Sequence, residues 1–123
     1  MRLDADRNLA QVRVSLPVST SPPHWAAGDE DFEFALSSCE SIFFADWPKL
    51  SCRGVRAVVD AESVPEQGLF KCLEFVFDGG NCVFADPTWH FGLRLGVRGS
   101  FDRWVESNLA DLADGQVIER AVP

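Results

Sequence analysis

The sequence predicts an α+β domain: an antiparallel β-meander with one amphipathic C-terminal helix, about residues 101–113, packed on the sheet. Three observations carry this. Phe70 to Phe77 alternates as a strand, with Leu73, Phe75 and Phe77 on one face. Asp78-Gly79-Gly80-Asn81 follows as a hairpin turn, because glycines supply the positive φ that tight turns require. Beyond Gly99, the residues Phe101, Trp104, Val105, Leu109 and Leu112 recur at helical spacing.

The remaining elements follow from the same patterns. Cys82 to Ala85 returns antiparallel to the first hairpin strand, and Asp86-Pro87-Thr88 turns again. Trp89 to Arg98 reads as a third strand, with Phe91, Leu93, Leu95 and Val97 on one side. Ser100 is the expected N-cap of the helix, Asp102 suits its first turn, and Gly115 is the expected C-terminal cap. Val117 to Val122 is a last short strand. Upstream, residues 1–8 are expected to be loose. Val12, Val14, Leu16 and Val18 alternate with polar residues and Pro17, giving a half-buried strand that ends at Pro17 or lies at an edge. Ser19 to Gly28 is a loop. Residues 29–47 fit either two short strands, near Phe32–Leu36 and Ser41–Asp46, or a helical stripe of Phe32, Leu36, Cys39 and Phe43. The β-forming Ile42-Phe43-Phe44 favours strands. Val55, Ala57 and Val59 form another strand, and Glu62 to Gly68 is a polar loop.

At 123 residues the chain has the length of one domain, 1–123, with one core. Its 46% hydrophobic content excludes a disordered chain. No apolar run approaches the ~18–20 residues of a membrane helix. The charged start Met1-Arg2-Leu3-Asp4-Ala5-Asp6-Arg7 has no apolar stretch behind it, so a secretory signal is not expected and the cytoplasm is the default compartment. Cys39, Cys52, Cys72 and Cys82 contain no CxxC pair. The hairpin register separates Cys72 from Cys82 by more than about 13 Å along the strands, beyond disulfide reach. Reduced, mostly buried thiols are expected.

No catalytic or metal-binding signature stands out. His24 lies in a loop and His90 beside Trp89, neither in a motif for nucleophilic catalysis. There is no HExxH, HxH or EF-hand pattern, and Gly79-Gly80 opens no phosphate loop. No catalytic residue, metal or cofactor is therefore expected. Trp104 belongs to the helical apolar stripe. Trp47 and Trp89 stand at element ends. His90, Arg94 and Arg98 form an outward row suited to an acidic partner or a phosphate, or to the solvated face of an antiparallel strand.

The formal charge of −8, nineteen acids against eleven bases, disfavours nucleic acid and anionic membranes and favours basic proteins. The densest acid cluster is Asp29, Glu30, Asp31 and Glu33, with Trp25 beside it as an aromatic anchor; Asp60, Glu62 and Glu66 form a second. These eight residues are the expected partner-binding set.

The segments Leu73-Glu74-Phe75-Val76-Phe77-Asp78-Gly79-Gly80, Cys82-Val83-Phe84, the Trp89–Val97 strand and Ser100-Phe101-Asp102-Arg103-Trp104-Val105-Glu106-Ser107-Asn108-Leu109 together carry a resemblance. From Phe70 to Leu109 the chain resembles small immunity proteins of bacterial toxin–immunity systems, including contact-dependent growth inhibition. The resemblance covers about a third of the chain and is one of pattern, a hydrophobic hairpin followed by a helix. It implies a cytoplasmic, non-enzymatic inhibitor that binds a cognate basic toxin domain, such as a nuclease. Two other classes fit the residues: a small enzyme using a histidine or paired carboxylates, and an interaction domain unrelated to toxins. The sequence leaves the oligomeric state open.

Overall fold

The computed structural model of the chain describes residues 2–6, 11–15, 51–88 and 93–123. The fold is α+β. Among the described residues, a five-stranded antiparallel sheet has the order β7-β6-β5-β3-β8. Its strands are β3 (Cys52–Val59), β5 (Cys72–Phe77), β6 (Cys82–Asp86), β7 (Arg94–Gly96) and β8 (Gln116–Ala121). A three-stranded sheet has the order β1-β2-β4, built from β1 (Arg2–Asp6), β2 (Gln11–Ser15) and β4 (Leu69–Phe70). Helix α1 spans Ser100–Asn108.

The large sheet is buried on both faces because its strands alternate two apolar sets. Ala57, Leu73, Phe75 and Ala85 face the small sheet, where Val12 is fully buried and Leu3, Val14 and Phe70 pack around it. Val58, Cys72 and Phe84 face the helix, against Phe101 and Trp104. The Phe84 and Phe101 rings meet edge to face, 6.0 Å apart at 84°. Burying Phe101 and Trp104 contributes on the order of 2–3 kcal/mol each, which holds the helix to the sheet.

The hairpin forms as the sequence predicts. Val76 pairs with Cys82 and Leu73 with Ala85. Gly79 and Gly80 carry φ of 72° and 76°, and the Phe77 amide donates to the Asn81 carbonyl at 2.8 Å. In this register Cys72 and Cys82 stand at opposite ends of the hairpin. Strands β3, β5, β6 and β7 follow one another as a meander, and β8 completes the sheet by pairing with β3.

Several local expectations change. Residues 2–6, expected to be loose, form β1 in register with β2, Leu3 opposite Val14 and Ala5 opposite Val12. The strand expected over Phe70 to Phe77 divides at Lys71. Phe70 pairs with Val12 in the small sheet, while Cys72 pairs with Val58 in the large one. The Lys71 amide donates to the Val58 carbonyl at 2.9 Å, fixing this crossover. Gly99, not Ser100, is the N-cap, with φ of 84°, and Ser100 is the first helical residue. The helix is shorter than 101–113. It ends at Asn108, whose side-chain amide donates to the Trp104 carbonyl at 2.8 Å, with the Leu109 amide making the last helical bond to the Val105 carbonyl. A 3₁₀ turn, Leu109–Asp111, follows. The positive φ beyond the helix falls on Asp114, at 56°, rather than on Gly115. Within the third hairpin strand only Arg94–Gly96 is β-structure among the described residues, and Leu95 and Val97 are exposed rather than buried. The expected residues Leu16 and Val18, the loop at 19–28 and the undecided stretch at 29–47 lie outside the described residues.

Gly68 marks the tightest approach within the small sheet, where the chain entering β4 runs against β2. Its carbonyl accepts from the Val14 amide at 2.8 Å, its φ is 71°, and a Cβ there would lie 2.5 Å from the Val14 carbonyl oxygen. Gly79 shares the positive φ, yet a Cβ would meet only Asn81 Nδ2 at 3.6 Å. Gly68→Ala is therefore expected to destabilise by about 3 kcal/mol, combining left-handed strain with a backbone clash. Gly79→Ala is expected to cost only about 1 kcal/mol. Urea unfolding of both variants checks the ranking, and equal losses would contradict it.

Candidate functional site

Of the second acid group, Asp60 is not available to a partner. Its side chain is 6% exposed and sits 3.3 Å from the Lys71 ammonium. Gln11 Nε2 donates to Asp60 Oδ1 at 3.0 Å, and the Glu62 amide donates to the same oxygen at 3.1 Å. Ser63 Oγ lies 2.9 Å from Gln11 Oε1 and 3.0 Å from Asp60 Oδ1, and accepts from the Asp60 amide. Burial alone would raise the Asp60 carboxyl. The hydrogen bonds from Ser63, Gln11 and the Glu62 amide, with the Lys71 charge, outweigh it and hold the group below the usual carboxylate range. Asp60 thus pins the fully buried Gln11 of β2 to the end of β3, a structural task.

Glu62 and Glu66 are exposed. The first acid group, Asp29, Glu30, Asp31 and Glu33 with Trp25, lies outside the described residues, as do His24, His90, Trp47 and Trp89.

The fold brings Glu62 a neighbourhood that the sequence does not announce. The Ala61 amide donates to the Ala113 carbonyl at 2.9 Å. Val59 pairs with Gln116, so the turn after β3 and the turn before β8 lie side by side. Glu62, Asp111 and Asp114 are all exposed on these two turns. Asp111 and Asp114 were hidden in the sequence by about fifty intervening residues. Their signal was the acidic density of Asp111-Leu112-Ala113-Asp114 itself, beyond the helical stripe.

Elsewhere, Glu74, Asp78, Asp86 and Asp102 are paired with the protein's own cations. Glu74, fully buried on the helix-facing side of β5, takes Arg56 Nε at 2.8 Å and Nη2 at 2.6 Å on one oxygen. Arg56 also reaches Asp102 with Nη1 at 2.9 Å and lies 4.4 Å over the Phe101 ring. The other Glu74 oxygen is buried without a hydrogen-bond partner. Asp86, 2% exposed, accepts from the Thr88 amide at 2.9 Å and from Arg94 at 2.9 Å. Arg53 pairs with Asp78. Arg94, expected in an outward row, is therefore neutralised from below.

The buried thiols Cys72 and Cys82 are poor nucleophiles. Burial pushes both Cys72 and Cys82 up, so neither forms thiolate readily at neutral pH. No group of three or more His, Cys, Asp or Glu among the described residues has the arrangement to hold a metal ion. Between β7 and α1 runs a groove of about 420 Å³ lined by Arg94, Gly96, Ser100, Arg103, Trp104 and Asn108 among others. Comparison with protein-family models, with curated proteins and with solved structures found no match.

Two stability experiments follow. Removing Arg56 strands a buried carboxylate, so Arg56→Met is expected to destabilise by about 4 kcal/mol, and adding Glu74→Leu should recover most of that loss. Urea unfolding of the single and double variants reads this, and no recovery would contradict a paired role. Asp60, lowered in the folded state, binds fewer protons folded than unfolded in the acid range. Its contribution is complete above the unfolded value of about 4 and fades as pH falls through the folded value. Asp60→Asn is expected to cost about 2 kcal/mol near neutral pH, with the gap to wild type narrowing below about pH 4. A gap constant across that range would contradict the assignment.

Proposed function

We propose that the chain is a protein-binding domain that neutralises a basic partner, in the specific form of a cytoplasmic immunity protein acting on a cognate toxin domain such as a nuclease. The observation that carries the reading is the acidic rim at one end of the large sheet, where the Ala61–Ala113 hydrogen bond sets the exposed Glu62 beside the turn bearing Asp111 and Asp114. Asp60 is already satisfied by Lys71, and among the described residues no ion pair occupies the rim's exposed carboxylates. The net charge of −8 adds long-range attraction to a basic cleft. The hairpin-and-helix resemblance is what narrows a basic partner to a toxin.

Among the described residues, no helix is long and apolar enough to cross a membrane. The partner contacts assigned here are Glu62, Asp111 and Asp114 on the rim, with Glu66 on the neighbouring 3₁₀ turn Pro65–Gln67. The cluster Asp29, Glu30, Asp31 and Glu33 with Trp25 remains part of the proposed surface.

Electrostatic steering acts on association more than on dissociation. The triple variant Glu62→Lys, Asp111→Lys, Asp114→Lys is therefore expected to associate about tenfold more slowly at low salt with its cognate toxin domain, and to lose that deficit as salt rises. Stopped-flow association across a salt series measures it. An association rate that neither the triple variant nor salt changes would remove the rim from the interface. Failure of the wild-type protein to bind or inhibit that toxin domain would reject the immunity reading.

A further inference from the structure

A second surface has the opposite charge and a different geometry. Strand β7 is an edge of the large sheet, paired with β6 through Phe84–Gly96, Ala85–Leu95 and Asp86–Arg94. Among the described residues, no strand pairs with its outer side. An unpaired strand edge offers a row of N–H and C=O groups to any extended chain of matching shape. Here the edge is one wall of the groove, and α1 is the other. Gly96 lets them approach: a Cβ at that position would lie 2.7 Å from Ser100 Oγ and 3.1 Å from the Phe84 ring.

The groove is rich in donors. Arg103, exposed on the helix, has no ion pair among the described residues and only a 3.5 Å contact to Ser100 Oγ. Arg94 stands on the opposite wall, with Asp86 taking part of its charge. Trp104, 7% exposed, lines the same groove, and its indole N–H is buried with no acceptor. A cation-bearing, donor-lined channel in a chain of net charge −8 selects for carboxylates rather than for more base. Beside these donors the strand also offers apolar surface: Leu95, opposite Ala85 and part of the groove lining, is 42% exposed, and Val97 just beyond is 50% exposed.

The geometry points to a peptide-binding site: an extended protein segment adds as a strand beside β7, alternating acidic residues toward α1 with apolar residues over Leu95 and Val97. Strand alternation requires this pattern, because successive side chains of the added strand face opposite sides. Main-chain hydrogen bonds to β7 supply the affinity. Arg103 sets the preference for carboxylates. This site is independent of the acidic rim, so loss of either leaves the other standing.

The test uses the full chain and a short capped peptide of alternating glutamate and valine, titrated while the amide signals of Arg94–Gly96 and the Trp104 indole are followed by NMR. Saturable shifts at these positions are expected, with affinity falling about tenfold or more in Arg103→Glu, an exposed substitution that leaves the fold intact. A peptide of the same sequence methylated on alternate backbone nitrogens should lose binding, because it has no donors for the strand edge. Three results would each overturn the site. One is the absence of shifts at millimolar peptide. Another is equal binding by an alternating lysine–valine peptide. The third is binding by the N-methylated peptide, or by inorganic phosphate with the same shifts, as strongly as by the parent peptide.

Discussion

Strand β5 must be covered on both faces. Cys72, Leu73, Glu74 and Phe75 are each buried, so the strand needs a partner on either edge and a layer above and below. The edges are taken by β3 and β6. One face is taken by the small sheet, through Val12, and the other by α1, through Phe101 and Trp104. The three-layer arrangement follows from that double burial. The crossover at Lys71 follows as well, since a single continuous strand from Leu69 to Phe77 cannot lie in both layers.

Burial on that scale governs the charges. Glu74 points into the helix-facing layer and is compatible with it only because Arg56 spans from β3 to meet it, with Phe101 beneath the guanidinium and Asp102 beyond. Asp60 and Asp86 are held in the same way by Lys71 and Arg94. The acids that lie in or near the core thus take three of the chain's eleven bases, Arg56, Lys71 and Arg94. Exposed Glu62, Asp111 and Asp114 lie where the β3 and β8 turns meet, and Arg103, with no ion pair among the described residues, lines the β7 groove.

Much of this architecture was legible in the chain. The hairpin was written in Asp78-Gly79-Gly80-Asn81, because only glycine takes two successive positive φ values without strain. The helical stripe from Phe101 to Leu112 announced which side meets the sheet. Less was legible where a local rule fails. The helix ends at Asn108 and tightens into a 3₁₀ turn over Leu109–Asp111, although the apolar stripe runs on to Leu112. Leu95 and Val97 alternate like core residues yet lie exposed at a sheet edge. Asp60, read as a surface carboxylate from its polar neighbours, is buried because Gln11 and Lys71 converge on it from other elements.

Local pattern determined the elements that depend on near neighbours: the antiparallel strands, the glycine turn, the amphipathic helix and the class they make together. Periodicity and φ preference act over a few residues, and that range suffices for them. Partnership was decided only in three dimensions. Which carboxylates are silenced by internal cations, which stay exposed at the rim, and which strand is left at the edge depend on contacts between residues up to about fifty positions apart, such as Ala61 with Ala113 and Arg56 with Asp102. Such contacts carry no local signature, because the loop-closure entropy that separates one long-range pairing from another varies only slowly with chain length.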